Sequence, residues 1–311
     1  MDPVTHAVIG MAISKMTGNA IALTEPASLA IIIGSVFPDI DIILQKWGDY
    51  VYLKNHRGVT HSIIGLIISS MLIAAVMSIF FPQSNIPGLF LWSLLGCLSH
   101  SFIDIFNSYG AKLMWPFFDK KFSLSLLLVF DPIFFGLLSG YVLSSGSIKS
   151  IFIICACIYL ISRALMRLGV AIGLKKRFGV SSKDIKILPS MTGLFRWHFI
   201  LEREDYDLVG EKNILKRGIK VFKRLYKLQG GTPDKILFSN VGRFFGEFTP
   251  LSHIVCINAG NITRYIFIDL RYFIRNNFLH HAVLEMDRDN RVVMESFNPY
   301  SIKRSTPLTI K

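Results

Sequence analysis

Long apolar runs occupy residues 62–81, 86–103 and 148–166, each of a length able to cross a bilayer, which takes roughly 20 residues. Two shorter apolar runs, 4–16 and 26–38, predict a helical hairpin that turns at Thr17-Gly-Asn19 and at the Glu25-Pro26 step. These two are short for full spans, which predicts re-entrant segments or helices packed inside a bundle. Beyond residue 190 the pattern changes. Short runs rich in aromatic and β-branched residues, at 195–201, 252–257, 264–272, 279–286 and 291–297, predict strands, and Asp287-Arg-Asp-Asn290 suits a hairpin turn. In 212–228, Ile214, Leu215, Phe222, Leu225 and Tyr226 fall roughly on one helical face, with Lys216, Lys220, Lys223 and Lys227 around the rest. That pattern predicts a basic helix, either interfacial on anionic lipid or with an ordinary solvated face. The predicted architecture is a mainly α membrane helical bundle with a smaller, β-rich, soluble C-terminal domain. Its expected divisions are a multi-pass membrane domain at 1–168, a basic linker at 169–190 and the β-rich domain at 191–311.

Composition supports the membrane reading: 51% of the chain is hydrophobic and the mean hydropathy is +0.47. Charge then orients it. Residues 1–166 carry nine Lys/Arg and eight Asp/Glu, whereas 167–311 carry 25 and 13. Lys/Arg excess marks the cytoplasmic side of short loops, so the C-terminal domain is expected in the cytoplasm. Lys46, Lys54 and Arg57 precede the 62–81 run, and Lys112, Lys120 and Lys121 follow the 86–103 run. The turns at 82–87 and 144–147 between them are neutral. The opening Met1-Asp-Pro-Val4 lacks a basic n-region, so a retained N-terminus in the mature protein is expected. Cys97, Cys155, Cys157 and Cys256 show no C-x-x-C spacing and read as small core residues in a reduced compartment.

Against this apolar background one group of side chains stands out. His6, Asp39, Asp41, His56, His61, His100 and Asp104 sit at the ends of the apolar segments, where ionisable groups are expensive and mark a functional site. Traced back from a cytoplasmic C-terminus, the alternation of loops places all of them on one side of the membrane. Imidazoles and carboxylates without a thiolate suit zinc, or manganese or iron, used for hydrolysis. His100 and Asp104 are i and i+4, with Asn107 at i+7, so a continuous helix puts all three on one face. His56 and His61 are five apart, roughly 140° round a helix, so at least one must come from a loop. Thr60 is the expected N-cap of the 62–81 helix. Of Asp39 and Asp41, one can ligate while the other orients a histidine or takes a proton from water. His198, His253, His280 and His281, within the predicted strands, read as sheet-face residues.

These residues carry a resemblance. Asp2-Pro-Val-Thr-His6, Pro38-Asp-Ile-Asp41, His56-Arg-Gly-Val-Thr-His61-Ser62 and Ser99-His100-Ser-Phe-Ile-Asp104-Ile-Phe-Asn107-Ser-Tyr109-Gly110 resemble a bacterial family of inner-membrane, metal-dependent hydrolases. One branch of that family is described as LexA-binding. The resemblance covers most of residues 1–135 and includes Phe130-Asp131-Pro132, where Asp131 is expected to cap a helix starting at Pro132. Trp197-His198 and Asp269-Leu-Arg-Tyr272 resemble the C-terminal region of a Gram-positive branch. The order His, Asp, His, His-x-x-x-Asp is also similar, more distantly, to the zinc-dependent phospholipase C and P1 nuclease group. That likeness implies His6, Asp39, His61, His100 and Asp104 as ligands and phosphodiesters as substrates. The chain lacks the further histidines, the H-x-x-x-E pair and the processed, zinc-ligating N-terminus of that group, which implies one or two metals instead of three.

Two functions are therefore expected. The first is a membrane-bound, metal-dependent hydrolase at the cytoplasmic surface, acting on a phosphoester or lipid, with Asp41 or His56 accepting a proton and Arg57 holding an anionic group. The second is a non-enzymatic membrane protein with a structural metal and a partner-binding cytoplasmic domain. Nucleic acid is the weaker choice of partner, because membrane topology already accounts for the basic loops. The Gln229-Gly-Gly-Thr-Pro-Asp234 loop matches no P-loop or dinucleotide fingerprint.

Overall fold

The computed structural model describes residues 1–118, 120–274, 276–299 and the backbone of 306–307, so the end of the expected 191–311 domain lies outside the described residues. The chain divides into two compact units, Met1–Leu44 with Asn55–Leu165, and Gln45–Lys54 with Met166–Lys311.

The first unit is helical. Helix α1 (Pro3–Met16) is capped by the Asp2 carboxylate, and α2 (Pro26–Val36) runs on as 3-10 turns over Phe37–Trp47. After α3 (Asp49–Asn55) and a 3-10 turn at Val59–His61 come α4 (Ile63–Phe80), α5 (Ile86–Asp104), α6 (Pro132–Leu143) and α7 (Ile148–Phe178). Pro26–Trp47, α4, α5 and α7 are long and apolar enough to cross a membrane among the described residues. Their outward faces are apolar as well, with Ile68, Leu72 and Ile79 of α4 exposed, as expected of helices solvated by lipid.

Lipid gives no hydrophobic drive between helices, so close approach through small residues holds such a bundle together. Gly34 of α2 and Gly96 of α5 provide it. A Cβ on Gly34 would run into the Ser93 carbonyl oxygen, and one on Gly96 would meet Ile31 O and lie 2.9 Å from Ser35 N. The tight crossing carries the end of α2, and with it Asp39, to the end of α5. Asp131 caps α6 through Phe134 N, with Pro132 in the first turn, as expected. Thr60 does not cap α4. Ser62 does, accepting from Gly65 N, because the 3-10 turn at Val59–His61 delays the helix and frees Thr60 for another partner.

In the second unit, β1 (Ile185–Pro189), β2 (Arg196–Glu202), β3 (Tyr206–Asn213) and β4 (Ile219–Tyr226) form an antiparallel sheet in chain order. Helices α8 (Asp234–Leu237) and α9 (Asn240–Phe248) follow. Then come β5 (Ser252–Ala259), β6 (Ile262–Asp269), the small β7 (Phe273–Ile274) and β8 (Asn277–Phe278) pair, β9 (His281–Asp287), β10 (Val292–Asn298) and β11 (Thr306–Pro307). The second sheet has the order β11-β10-β9-β6-β5, and the β9–β10 turn at 287–290 is the predicted hairpin. Phe244, Phe245 and Phe248 of α9 pack on Phe267, Leu284 and Phe297 of this sheet. Leu53, from the 45–54 segment, joins the same core, and the Tyr50 ring lies 4.5 Å from that of Phe244.

Two expectations for this region change. Residues 212–228 are the β3–β4 hairpin and not a helix. Gly218 interrupts the helical pattern, the β-branched and aromatic Ile219, Val221, Phe222 and Tyr226 favour a strand, and pairing with β3 satisfies the backbone. Residues 169–190 are not a free linker either. Helix α7 continues to Phe178 because Val170 and Leu174 bury against Ile187, Trp197, Phe199 and Leu208 of the first sheet.

Candidate metal centre

Five of the seven side chains singled out in the sequence meet at the ends of α1, α2, α5 and the Val59–His61 turn. His6, His61, His100 and Asp104 are fully buried, and the Asp39 side chain is 11% exposed. The Nε2 atoms of His61 and His100 face each other at 3.1 Å. Asp39 Oδ1 lies 3.4 Å from both, and Asp104 Oδ2 lies 3.6 Å from the first and 3.8 Å from the second. A tetrahedral ion with bonds of about 2.1 Å would hold its ligand atoms about 3.4 Å apart. The His6 ring stacks on His100 with centroids 3.7 Å apart, and its Nε2 is 3.4 Å from Asp104 Oδ1. Three ligand groups of this kind bring donor atoms within 4.8 Å of one another among the described residues: His6, Asp39 and His100; His61, His100 and Asp104; and Asp39, Asp41 and His56.

The hydrogen bonds fix the histidine tautomers. His100 Nδ1 donates to the Ser35 carbonyl at 2.8 Å. Thr60 Oγ1 lies 3.2 Å from Asp41 Oδ2 and 3.0 Å from His61 Nδ1. The carboxylate only accepts, so the single hydroxyl proton goes to Asp41, and Thr60 accepts from His61 Nδ1–H. In these neutral tautomers both Nε2 atoms present lone pairs to each other. Burial pushes His61 down to about 4 against the opposing pull of Asp39, which keeps its imidazole neutral at physiological pH. Asp39 Oδ1 makes no hydrogen bond, and Asp104 Oδ2 has the Arg57 guanidinium 3.1 Å away on its other side, so two carboxylate oxygens and two nitrogens converge as acceptors with no donor between them.

Around this cluster the remaining predicted residues take supporting positions. Asp41 accepts from Arg57 N and Thr60 Oγ1 and pairs with His56 Nδ1 at 2.9 Å, so it orients groups and has little capacity left to take a proton. Arg57 is not an open anion-binding arm. It is 3% exposed, with Nε 3.1 Å from Asp104 Oδ2 and Nη1 donating to Asn107 Oδ1 at 2.7 Å, and its backbone sits at φ 63°. Asn107 lies beyond the end of α5, so it does not continue the His100–Asp104 face. It nevertheless reaches Asp104 Oδ1 through Nδ2 at 3.0 Å while accepting from Tyr109 N and Gly110 N. The amino group of Met1 also donates to Asp104 and lies 3.0 Å from His6 Nε2. Sequence reasoning missed Thr60 and Ser35 as supports: one was read as a helix cap, and the other acts through its backbone.

The family comparison agrees with this geometry in extent. Residues 1–170, more than half of the chain and including every residue of the cluster, match the model of the YdjM inner membrane protein family. The chain belongs to that family. Membrane association of this YdjM family member is thereby established alongside its apolar helices. Residues 234–305 match the YfhP C-terminal alpha/beta plait domain, in accord with the helices and second sheet found there. The uncharacterized protein YfhP of Bacillus subtilis (strain 168) is 35% identical over 204 residues, covering 61% of this chain and 62% of that protein, so the match spans less than two thirds of the relative. No solved structure matches the chain significantly.

Proposed function

We propose that this YdjM family member is a membrane-embedded, metal-dependent hydrolase whose centre is formed by Asp39, His61, His100 and Asp104, with His6 beside them. The observation that carries the reading is the pair of Nε2 atoms 3.1 Å apart, with the Asp39 and Asp104 carboxylate oxygens 3.4–3.8 Å from them. Lone pairs packed this way repel unless a cation lies among them. Two imidazoles and two carboxylates suit zinc, with manganese or iron as the other fitting ions. Bound there, the metal would supply Lewis acidity for hydrolysis.

The protein's own residues do the rest. Ser35 O and the Asp41–Thr60 relay hold His100 and His61 in the tautomers that present Nε2, the arrangement by which outer partners tune ligands. Arg57 and Asn107 fix Asp104. His56, 18% exposed and held by Asp41, is the group at the rim placed to accept a proton. A phosphoester or lipid substrate at the cytoplasmic membrane surface fits a cluster at the ends of apolar helices beside basic loops.

The deep burial of the donors and the engagement of Arg57 favour a second reading, a closed metal that ties helix ends together. Two measurements on the purified full chain separate these. Elemental analysis should find one or two equivalents of a transition metal, lost in His61→Ala and His100→Ala. A panel of phosphoesters, esters and lipids should then show turnover that disappears with the metal. A metal-free native protein that binds no added zinc would overturn both readings; bound metal without turnover would leave the structural one.

A further inference from the structure

Within the second unit, the last turns of α7 and the β3–β4 hairpin enclose a groove of about 270 Å³ that the proposed metal chemistry does not use. Its charges come from both elements: Lys176 and Arg177 from the helix, Lys212 and Arg217 from the hairpin. No acidic residue lines it among the described residues. Its floor is apolar, made by Val170, Leu174 and Ile219. The helix wall is open because Gly169 and Gly173, four residues apart, are both exposed, and a Cβ on either would meet no atom within 4 Å.

Cations in the last turn of a helix complement its negative end, which accounts for Lys176 and Arg177 alone. It does not account for two more cations brought to the same groove by a separate hairpin. Lys212 Nζ is tied down by the carbonyls of Lys216, Arg217 and Gly218, which fixes one positive charge at the rim. Leu215, 72% exposed, projects from the same hairpin. Helix α7 has 31 residues, about 46 Å at 1.5 Å per residue, against a hydrocarbon core of about 30 Å. The excess brings its terminal turns to headgroup depth when the apolar part of the helix spans.

We propose that this groove is a binding site for one anionic phospholipid, its phosphate among Lys176, Arg177, Lys212 and Arg217 and the start of an acyl chain along the Gly169–Gly173 face. The chemistry is that of basic pockets beside membrane helices, where each Lys or Arg near the surface contributes about fivefold in affinity. The site is independent of the proposed metal centre, so either can fail without the other.

The test uses the purified full chain in mild detergent, with thermal unfolding followed as phosphatidylglycerol, phosphatidylcholine or inorganic phosphate is added. Phosphatidylglycerol should stabilise the wild type at lower concentration than the other two. K176Q/R177Q should weaken that effect by roughly 25-fold. Gly173→Leu, whose Cβ would meet no atom within 4 Å and whose side chain would occupy the groove wall, should abolish the preference while the protein stays folded. R288Q/R291Q removes the same charge from the β9–β10 turn, which does not line the groove, and should behave as wild type. The proposal is overturned if phosphatidylcholine or free phosphate protects equally, if R288Q/R291Q loses as much as K176Q/R177Q, or if folded Gly173→Leu keeps the preference.

Discussion

Gly96→Ala tests whether the α2–α5 crossing builds the metal centre. The added methyl would overlap the Ile31 carbonyl oxygen and lie 2.9 Å from Ser35 N and 3.0 Å from Gly34 C. All three obstacles are backbone, so no side chain can swing away and the helices must separate. Overpacking of this kind costs about 1–3 kcal/mol. Separation also draws Ser35 away from His100, breaking the 2.8 Å bond that fixes the imidazole, a loss worth about 10- to 100-fold in metal affinity. Gly136→Ala in α6 is the internal control, because its Cβ meets nothing within 4 Å and alanine gains about 0.5–1 kcal/mol of helix propensity over glycine. Thermal unfolding and zinc titration of both purified variants should therefore move in opposite directions from wild type for stability, with affinity falling only in Gly96→Ala. Unchanged zinc affinity in Gly96→Ala would refute the link between the crossing and the centre.

Asp104→Ala should lose metal and turnover together, whereas His56→Gln should retain metal and slow turnover by about 10²–10⁴, and Asp41→Asn should cost about 10- to 100-fold through the loss of its hold on Thr60 and His56; full metal content in Asp104→Ala would remove it from the ligand set. Asp131→Ala removes the α6 cap and the acceptor of Tyr159 OH at 2.8 Å, and should lower stability by about 1–3 kcal/mol in thermal unfolding. Burial pushes His280 down to about 4 and also lowers His198 and His281. His280 stays neutral in the folded protein while the unfolded chain takes up protons below about 6.5, so its stabilisation is present above about 6.5 and lost as pH falls towards 4, by up to about 3 kcal/mol, and His198 and His281 act in the same direction. Urea midpoints that do not fall between pH 7 and pH 4.5 would contradict this. A cysteine placed at Lys54, with the native cysteines replaced, should resist an impermeant thiol reagent in intact cells and react after lysis; ready labelling without lysis would reverse the expected topology.

The long helices were legible because an apolar run of spanning length has few alternatives, and the His/Asp cluster because charge is costly in such runs. Asp131-Pro132 announced α6 through capping chemistry alone. The strands from 252 to 297 were readable from β-branched and aromatic content. What escaped was non-local. The 212–228 stretch has apolar spacing compatible with a helical face, and only its pairing with β3 decides for a strand. Arg57 reads as an available cation until the burial around Asp104 and Asn107 is known. The Ser35 carbonyl has no side-chain signature at all.

Leu53 has a consequence for the order in which the protein is made. It leaves the ribosome early, yet its partners Phe244, Leu284 and Phe297 are synthesised last. Contacts separated by roughly 190 to 245 residues carry a large loop-closure cost and form late. Until then Tyr50, Tyr52 and Leu53 form a sticky segment waiting for its receptor. A gene truncated before residue 230 would leave it without one, while a fragment beginning at 166 would carry a gap in its core. The linear boundary between the two matched families therefore does not mark a cut that yields two self-sufficient proteins.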